Sequence, residues 1–162
     1  MSAVTLVTAE MRACVGGLLE VRHSPVLDAS DVRRWLMAVY HPEPPPAPER
    51  DAVDGAELAP YELNPFAWSQ ERREHAWDDP DRIESCLGVP GPRLPNMLNG
   101  GISVQYGARL RVGDSVTSEE RLVSYTERQG RLGLMLFTTC EQRWVAQDGR
   151  WIKTLRTTLI RY

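Results

Sequence analysis

The C-terminal part of the chain, residues 101–162, alternates apolar and polar residues between turn signals, and this pattern restricts the fold more than any other feature. A period of two is typical of half-buried β-strands. It predicts four strands, at residues 101–106, 115–127, 132–146 and 150–162. The last predicted strand would place three large apolar residues on one face: Trp151, Leu155 and Leu159.

Two dipeptides mark connections between these predicted strands. Gln129 and Gly130 are placed to turn the chain before residue 132, and Asp148-Gly149 is a signal of a type I′ hairpin. Short connections of this kind join antiparallel neighbours. The pattern therefore predicts an antiparallel meander of about four strands.

Two helices are predicted in the N-terminal part of the chain. Thr8 is placed to cap a short first helix. Asp28 or Ser30 can cap a second helix, which ends before Pro42 because proline disfavours helical geometry in the preceding residue. Four apolar residues share one face of this second helix: Val32, Trp35, Leu36 and Val39.

The chain around and beyond the second helix is predicted to be mostly irregular. A short strand is expected at residues 24–27. Residues 42–48 read PEPPPAP, which excludes helix and central strand and favours a stiff extended loop. Residues 70–95 are rich in charge, proline and glycine and predict a long excursion, with one helical turn around residues 69–77. Helices followed by antiparallel strands indicate an α+β fold, and we expect a single domain over residues 1–162.

Composition and charge exclude several classes of function. The formal net charge is −3, whereas nucleic-acid binding normally needs a basic surface. The three cysteines are widely spaced and show no metal-ligand pattern, so neither a disulfide framework nor a metal site is expected. The sequence shows neither a signal-peptide pattern nor an apolar stretch long enough to span a bilayer. We therefore expect a cytoplasmic protein with reduced thiols and without membrane or nucleic-acid partners.

Five phrases of the sequence match one protein family in the expected order. They are TAEMRACVG, DVRRWLMAVYHPEPPP, APYELNPFAW, LNGGISVQYGARLRVGDSVT and MLFTTCEQRWVAQDGRWIKTLRTTLIRY. On these phrases the chain resembles the MaoC-like dehydratase N-terminal domain family, also called the FAS1-like dehydratase domain family. The resemblance implies a hot-dog fold, in which an antiparallel sheet wraps around a central helix.

The resemblance also implies a reaction and an assembly. Domains of this family usually pair edge to edge, and an acyl-CoA or acyl-carrier thioester enters a tunnel at the interface. The reaction is the addition of water to an enoyl thioester, or its reversal, with no cofactor other than the CoA or phosphopantetheine that carries the substrate. It needs a base for the water, a proton for the α-carbon and a group that polarises the thioester carbonyl.

The family's catalytic loop reads Gly-Asp-x-Asn-Pro-x-His, and this chain departs from it. In the equivalent residues 40–46, Pro44 keeps the internal proline, His41 stands at the Asp position and Pro46 at the His position. Proline has no side-chain proton to give or take, so the catalytic pair is absent. The resemblance then implies the non-catalytic, tunnel-forming subunit of a heteromeric enoyl-CoA hydratase or 3-hydroxyacyl-thioester dehydratase, with the Asp and His on a second MaoC-like chain.

Two other interpretations stay open. His41 and Glu43 could act in a self-sufficient homodimeric hydratase or thioesterase, although both could equally lie in a solvated loop. Alternatively, the chain could be a non-enzymatic acyl-CoA-binding module.

Seven residues are candidates for contact with the substrate: Phe66, Trp68, Asn99, Gly100, Gly101, Arg109 and Arg111. The two aromatic residues are expected at the central helix, where they would either line the tunnel or belong to the core. The residues from Asn99 to Gly101 would either let the backbone approach a thioester or form a strand-entry turn. The two arginines would either meet the phosphates of CoA or lie at the surface without a specific role.

Overall fold

The computed structural model of the chain describes residues 5–67 and 79–162. Within these ranges the chain forms three helices: α1 (Ala9–Ala13), α2 (Ala29–Tyr40) and α3 (Arg82–Cys86). It also forms five strands: β1 (Leu18–His23), β2 (Met97–Tyr106), β3 (Val116–Gly130), β4 (Gly133–Ala146) and β5 (Trp151–Arg161). None of the described helices is both long and apolar enough to cross a membrane.

The five strands form one antiparallel sheet in the order β1-β3-β4-β5-β2. This arrangement confirms the predicted α+β class and the four predicted strands, which correspond to β2, β3, β4 and β5. It corrects the predicted meander in one respect, because β2 pairs with β5 and not with β3, its neighbour in sequence. Both edges of the sheet, β1 and β2, are therefore strands that precede the central hairpins.

The short strand predicted at residues 24–27 is wrong, because the chain is irregular there. The strand lies just before it, as β1, whose mixture of apolar and charged residues alternates only weakly. Pro25 lacks a backbone N–H and cannot continue the pairing of β1 with β3. Ser24 instead accepts a hydrogen bond from the Val116 N–H through its hydroxyl, at 2.8 Å.

Both predicted turns differ in detail from the structure. Gly130 pairs with Gly133, so the β3–β4 turn consists of the two residues between them and not of residues 129–130. In the β4–β5 turn, the Gly149 N–H donates to the Ala146 carbonyl at 2.9 Å, and φ is positive at Gly149 but not at Asp148. A type I′ turn needs positive φ at both central residues, so this connection is a type I turn followed by a glycine bulge.

A β-bulge in β5 corrects the predicted face of Trp151. Trp144 pairs with Lys153 and Val145 pairs with Trp151, so Ile152 is an extra residue in β5. The insertion reverses the alternation, and Trp151 lies on the opposite face of the sheet from Leu155 and Leu159.

The two predicted helices are confirmed, together with their capping residues. The Met11 N–H donates to the Thr8 hydroxyl at 3.1 Å at the start of α1. Asp28 begins α2 with a capping box, in which its carboxylate accepts from the Ser30 N–H at 2.8 Å and the Asp31 carboxylate accepts from the Asp28 N–H at 3.2 Å. Each such cap typically contributes about 1 kcal/mol.

The helices pack on one face of the sheet. From α2, Val32 and Leu36 are buried in a core cluster with residues from the ends of β3, β4 and β5. From α3, Ile83 is buried against Leu122 and Cys140 in the middle of the sheet. The face between the two edge strands is therefore covered in part by α2 and in part by α3.

The structure corrects, for residues 64–67, the expectation that this segment lies at the central helix. Residues 64–67 form turns, and the Phe66 N–H donates to the Asn64 side-chain oxygen at 3.0 Å. An asparagine side chain that bonds to the backbone two residues later favours a turn over a helix. Trp68 and the helical turn predicted around residues 69–77 lie outside the described residues.

Candidate functional site

A cavity of about 340 Å³ lies between α3 and the helix-covered face of the sheet. Its size falls in the range of small-molecule sites. The lining residues come from α3 and the chain before it (Asp79, Pro80, Arg82, Ile83), from β2 (Met97, Leu98, Asn99, Ile102), from β3 (Glu120), from β4 (Thr138, Cys140) and from β5 (Thr157, Thr158, Leu159). The cavity therefore crosses four neighbouring strands. Three intervals at the usual spacing of ~4.8 Å give it a length of about 14 Å across the sheet.

The end of the cavity at the edge strand β2 is apolar and open. Met97, Leu98 and Ile102 line it, and their side chains are 36%, 47% and 60% exposed. Farther in, Thr138 and Cys140 on β4 are buried. The cavity thus has a mouth at β2 and an inner end below β3 and β4.

An ion pair forms the inner end of the cavity. The Arg82 guanidinium lies 3.1 Å from the Glu120 carboxylate, and both side chains are largely shielded from solvent. Burial opposes the charge of Arg82, but the neighbouring Glu120 outweighs this effect and raises the pKa of Arg82. Arg82 therefore stays protonated at neutral pH and remains paired with the Glu120 carboxylate.

The thiol of Cys140 lies beside this ion pair. Burial raises the pKa of the Cys140 thiol to about 12, with a further contribution from the charge of Glu120. Because the thiolate is the reactive form, Cys140 is an inert thiol near neutral pH. Cys140 therefore shapes the cavity and does not provide a nucleophile.

A buried charge network fixes the wall behind the cavity. Arg161 and Glu84 are both fully buried and joined by two hydrogen bonds of 2.7 Å. The guanidinium also donates to the Thr138 hydroxyl at 2.9 Å, and the Tyr125 hydroxyl donates to Glu84 at 2.7 Å. This network ties α3 to β3, to β4 and to the end of β5, and so fixes the position of the wall formed by α3.

The sequence contained a signal for this network that was missed. Arg161 has the same parity in β5 as Leu155 and Leu159, so it had to share their buried face. A charged residue at a buried position requires a partner of opposite charge. Its partner Glu84 lies in a helix of five residues inside the predicted excursion, where no periodic pattern marks it.

Asn99 is the predicted substrate-binding residue that lines the cavity. Its side-chain oxygen accepts from the Gly101 N–H at 2.8 Å, across a bulge where Gly101 has a φ of +127°. At Gly100 a Cβ atom would lie 2.9 Å from the Ile160 side chain and 3.0 Å from the Thr158 carbonyl. The two glycines thus allow the bulge and the close approach of β2 to β5, and their contact with a substrate stays a prediction.

Phe66 lies in the core and not in the cavity. Its side chain is buried, and its ring packs edge-on against Trp144 with 5.0 Å between the ring centroids. A role of Phe66 in substrate binding stays a prediction, as does that of Trp68.

The two predicted phosphate-binding arginines are paired with carboxylates. Arg109 bonds to the Glu49 carboxylate and to the Ala59 carbonyl, the latter at 3.0 Å. Arg111 bonds to two aspartates, Asp51 at 2.8 Å and Asp54 at 2.7 Å. A CoA phosphate would have to displace these partners, and the assignment stays a prediction.

His41 and Glu43 lie in the loop after α2, and both are exposed. Neither lines the cavity under α3, and no histidine occurs among the lining residues in the described ranges. Within those ranges, no three histidine, cysteine, aspartate or glutamate side chains converge as metal ligands. The described lining therefore combines two carboxylates, hydroxyls and a thiol without an imidazole.

Residues 14–155 match the family described as FAS1-like, dehydratase domain region. The chain belongs to this family. The match covers most of the chain and confirms the family predicted from the five sequence phrases.

Two solved structures resemble this FAS1-like dehydratase domain over nearly its whole length. A chain of the ChsH1-ChsH2 complex from Mycobacterium tuberculosis has a TM-score of 0.65 at 15% identity, over 95% of this chain and 89% of that one. A MaoC-like dehydratase from Rhodospirillum rubrum has a TM-score of 0.52 at 16% identity, over 91% and 92%. At identities this low, the two structural similarities support the fold alone. They confirm the predicted hot-dog fold. No curated protein matches the domain.

Proposed function

We propose that this FAS1-like dehydratase domain is the non-catalytic, tunnel-forming subunit of a heteromeric enoyl-CoA hydratase or 3-hydroxyacyl-thioester dehydratase. One observation carries the proposal: the cavity under α3 suits an acyl chain, but its described lining lacks the imidazole with which the family's hydratases transfer protons. The substrate would be an acyl group carried as a thioester of CoA or of protein-bound phosphopantetheine.

The shape of the cavity supports a thioester substrate. Its mouth at β2 is lined by apolar side chains, which favours entry of an acyl chain. Because the cavity measures only about 340 Å³, the nucleotide of CoA would stay outside. The thioester would then lie near the mouth, at the edge strand.

The chemistry of the lining residues supports a role in binding. Glu120 is held in a salt bridge with the Arg82 guanidinium, and no histidine lies among the described lining residues to form an acid–base pair with it. Cys140 is protonated at neutral pH because its pKa is raised to about 12. Neither group can replace the Asp and His whose positions in the family's loop are taken by His41 and Pro46.

The edge strand β2 supports a two-chain assembly. It has ten residues, none of them charged, and no described strand pairs with its outer side. An uncharged edge of this length is a template for another strand. The similar structure from Mycobacterium tuberculosis is a complex of two different proteins, which is consistent with a partner of a different sequence.

The proposal is tested by purifying the full chain with a tag from cells that make it naturally and identifying the proteins that copurify. We expect a second MaoC-like chain that carries the Gly-Asp-x-Asn-Pro-x-His loop. The isolated chain should leave crotonyl-CoA unchanged, and the reconstituted pair should hydrate it, as followed by the loss of the conjugated thioester absorbance.

Hydration of crotonyl-CoA by the isolated chain at an enzymic rate would contradict the proposal. His41→Ala would then test the self-sufficient alternative, because that substitution should abolish the activity only if His41 is the base. Binding of acyl-CoA by a homodimer without any active partner would instead favour a non-enzymatic binding module. The reconstituted pair with His41→Ala is the matched control, and it should keep full activity.

A further inference from the structure

The cavity changes from apolar to polar along its length. The mouth is formed by apolar residues of β2, and the middle by Ile83 and Leu159. The inner end presents the Arg82–Glu120 ion pair, beside the Cys140 thiol. A plain alkyl chain that filled the cavity would displace water from this ion pair without replacing its hydrogen bonds, which is costly.

The ion pair leaves capacity for another hydrogen bond. One oxygen of Glu120 accepts from Arg82, and the other accepts no hydrogen bond from the described residues. A carboxylate oxygen that is shielded from water favours a donor. A substrate group that reaches this end should therefore carry an O–H or N–H.

The charges and hydrogen-bonding groups at the inner end together favour a neutral substrate group. The lining residues at this end carry two negative charges, on Asp79 and Glu120, and one positive charge, on Arg82, for a net charge of −1. The network behind the wall adds Asp81, Glu84 and Arg161, again a net charge of −1. A terminal carboxylate would be repelled by this charge, and a terminal ammonium has no lone pair with which to accept from Arg82, whereas a hydroxyl can both donate to Glu120 and accept from Arg82.

We propose that the cavity binds acyl thioesters with a hydroxyl group at the far end of the acyl chain, and that Glu120 and Arg82 recognise this hydroxyl. The inference rests on the proposed function, because it assumes that an acyl thioester enters at the β2 mouth. The hydroxyl must be distant from the thioester, because the two groups lie at opposite ends of a cavity that spans about 14 Å at ordinary strand spacing.

The test compares the affinities of matched ligands for the full chain by isothermal titration calorimetry. The ligands are alkyl and ω-hydroxy acyl-CoA pairs, from hexanoyl- to dodecanoyl-CoA. At the best chain length the ω-hydroxy member should bind at least about tenfold more tightly, since a hydrogen bond to a charged group has this strength. β-Hydroxyoctanoyl-CoA, whose hydroxyl lies next to the thioester, should bind no more tightly than octanoyl-CoA.

The variant Glu120→Gln identifies the residue responsible. It should reduce the preference for the ω-hydroxy ligand by at least about threefold, because the acceptor loses its charge. Glu119→Gln is the matched control, because Glu119 neighbours Glu120 on β3, points to the other face and pairs with Arg121 at the surface. This control should keep the preference unchanged. Circular dichroism spectra should show that both variants are folded.

The outcomes separate the two proposals. Equal binding of the two members of every pair, or a preference for the alkyl member, would overturn the hydroxyl proposal and leave thioester binding intact. Absence of binding by every acyl-CoA and every acyl-phosphopantetheine would overturn the proposed function and the hydroxyl proposal with it. A preference that persists undiminished in folded Glu120→Gln would overturn the role of Glu120.

Discussion

The two edges of the sheet differ in length and in charge. β1 has six residues and carries Glu20, Arg22 and His23. β2 has ten residues, MLNGGISVQY, none of which is charged. Proteins protect the exposed edges of their sheets by shortening them and by adding charges. By this criterion β2, and not β1, is the edge at which we expect another strand to pair.

The space under α3 also differs between the two edges, because it is open near β2 and closed toward β1. Behind β2 the space under α3 is open and forms the mouth of the cavity. Toward β1 the same space is closed by the ion pair between Arg82 on α3 and Glu120 on β3, the strand next to β1. Binding and assembly are thus expected at one edge only, and a partner strand on β2 would border the mouth of the cavity.

The largest expected effect comes from removing the Glu84 carboxylate, which is paired with Arg161 in the buried charge network. In Glu84→Gln, the fully buried Arg161 keeps its charge without its main partner. We expect the free energy of unfolding to fall by about 3–5 kcal/mol, as for other broken buried ion pairs. The measurement is equilibrium unfolding in urea.

The control for this prediction is an ion pair on the opposite face, near β1. Glu119 and Arg121 are about half exposed, so Glu119→Gln should change the free energy of unfolding by no more than about 1 kcal/mol. Equal urea midpoints for the two variants would contradict the structural role of the buried network behind β2.

The elements predicted correctly from the sequence are those whose own pattern determines their burial. In α2, Val32 and Leu36 recur at helical spacing after a capping aspartate, and both are buried as the spacing requires. The strands β3, β4 and β5 are joined by short turns, so their neighbours in the sheet follow from their order in sequence. The bulge at Ile152 was not predictable, because it depends on pairing with β4 and leaves the strand's own sequence looking regular.

The site was less predictable than the fold for a related reason. Asn99 was predicted because it begins the Asn-Gly-Gly run that could bring the backbone close to a thioester, and it does line the cavity. Arg82 and Glu120 were missed, since they are 38 residues apart in sequence and meet only when α3 packs on the sheet. The helix α3 has five residues in a charged stretch, so only tertiary contacts give it a defined position.

The reactivity of Cys140 tests, with a smaller expected effect, whether the cavity is closed away from its mouth at β2. At about pH 8, alkylation of Cys140 in the folded chain should be at least about a hundredfold slower than in urea, because its pKa is raised to about 12 and the side chain is buried. The rate should still rise about tenfold for each pH unit between about pH 8 and pH 10, since the thiolate fraction keeps increasing below the pKa. Peptide mass spectrometry of timed samples gives the rate for each cysteine.

Two comparisons make this test specific to the cavity. The denatured chain should label all its cysteines at similar rates, which controls for the reagent. An acyl-CoA that occupies the cavity through the β2 mouth should slow the labelling of Cys140 further and leave that of Cys14 unchanged. Rapid labelling of Cys140 in the native chain, with a plateau near pH 9, would show an accessible and ordinary thiol.

The smallest expected effect tests the edges directly. In Gln105→Lys, a positive charge is placed on the exposed surface of β2, where its neighbour on β5 is the uncharged Thr154. The fold should be unaffected, but association with the partner strand should weaken by about tenfold, or ~1.4 kcal/mol, because the ammonium must be desolvated or displaced at the interface.

The matched control is Val21→Lys on β1, which also adds a lysine to an exposed edge position and should leave association unchanged. Both variants are compared with the wild-type chain by sedimentation velocity, with the copurified partner added. Because the two substitutions add the same charge at opposite edges, a difference between them reports which edge pairs with the partner strand. If Val21→Lys weakens association more than Gln105→Lys, the partner binds β1. The absence of charged residues from β2 would then have a cause other than pairing.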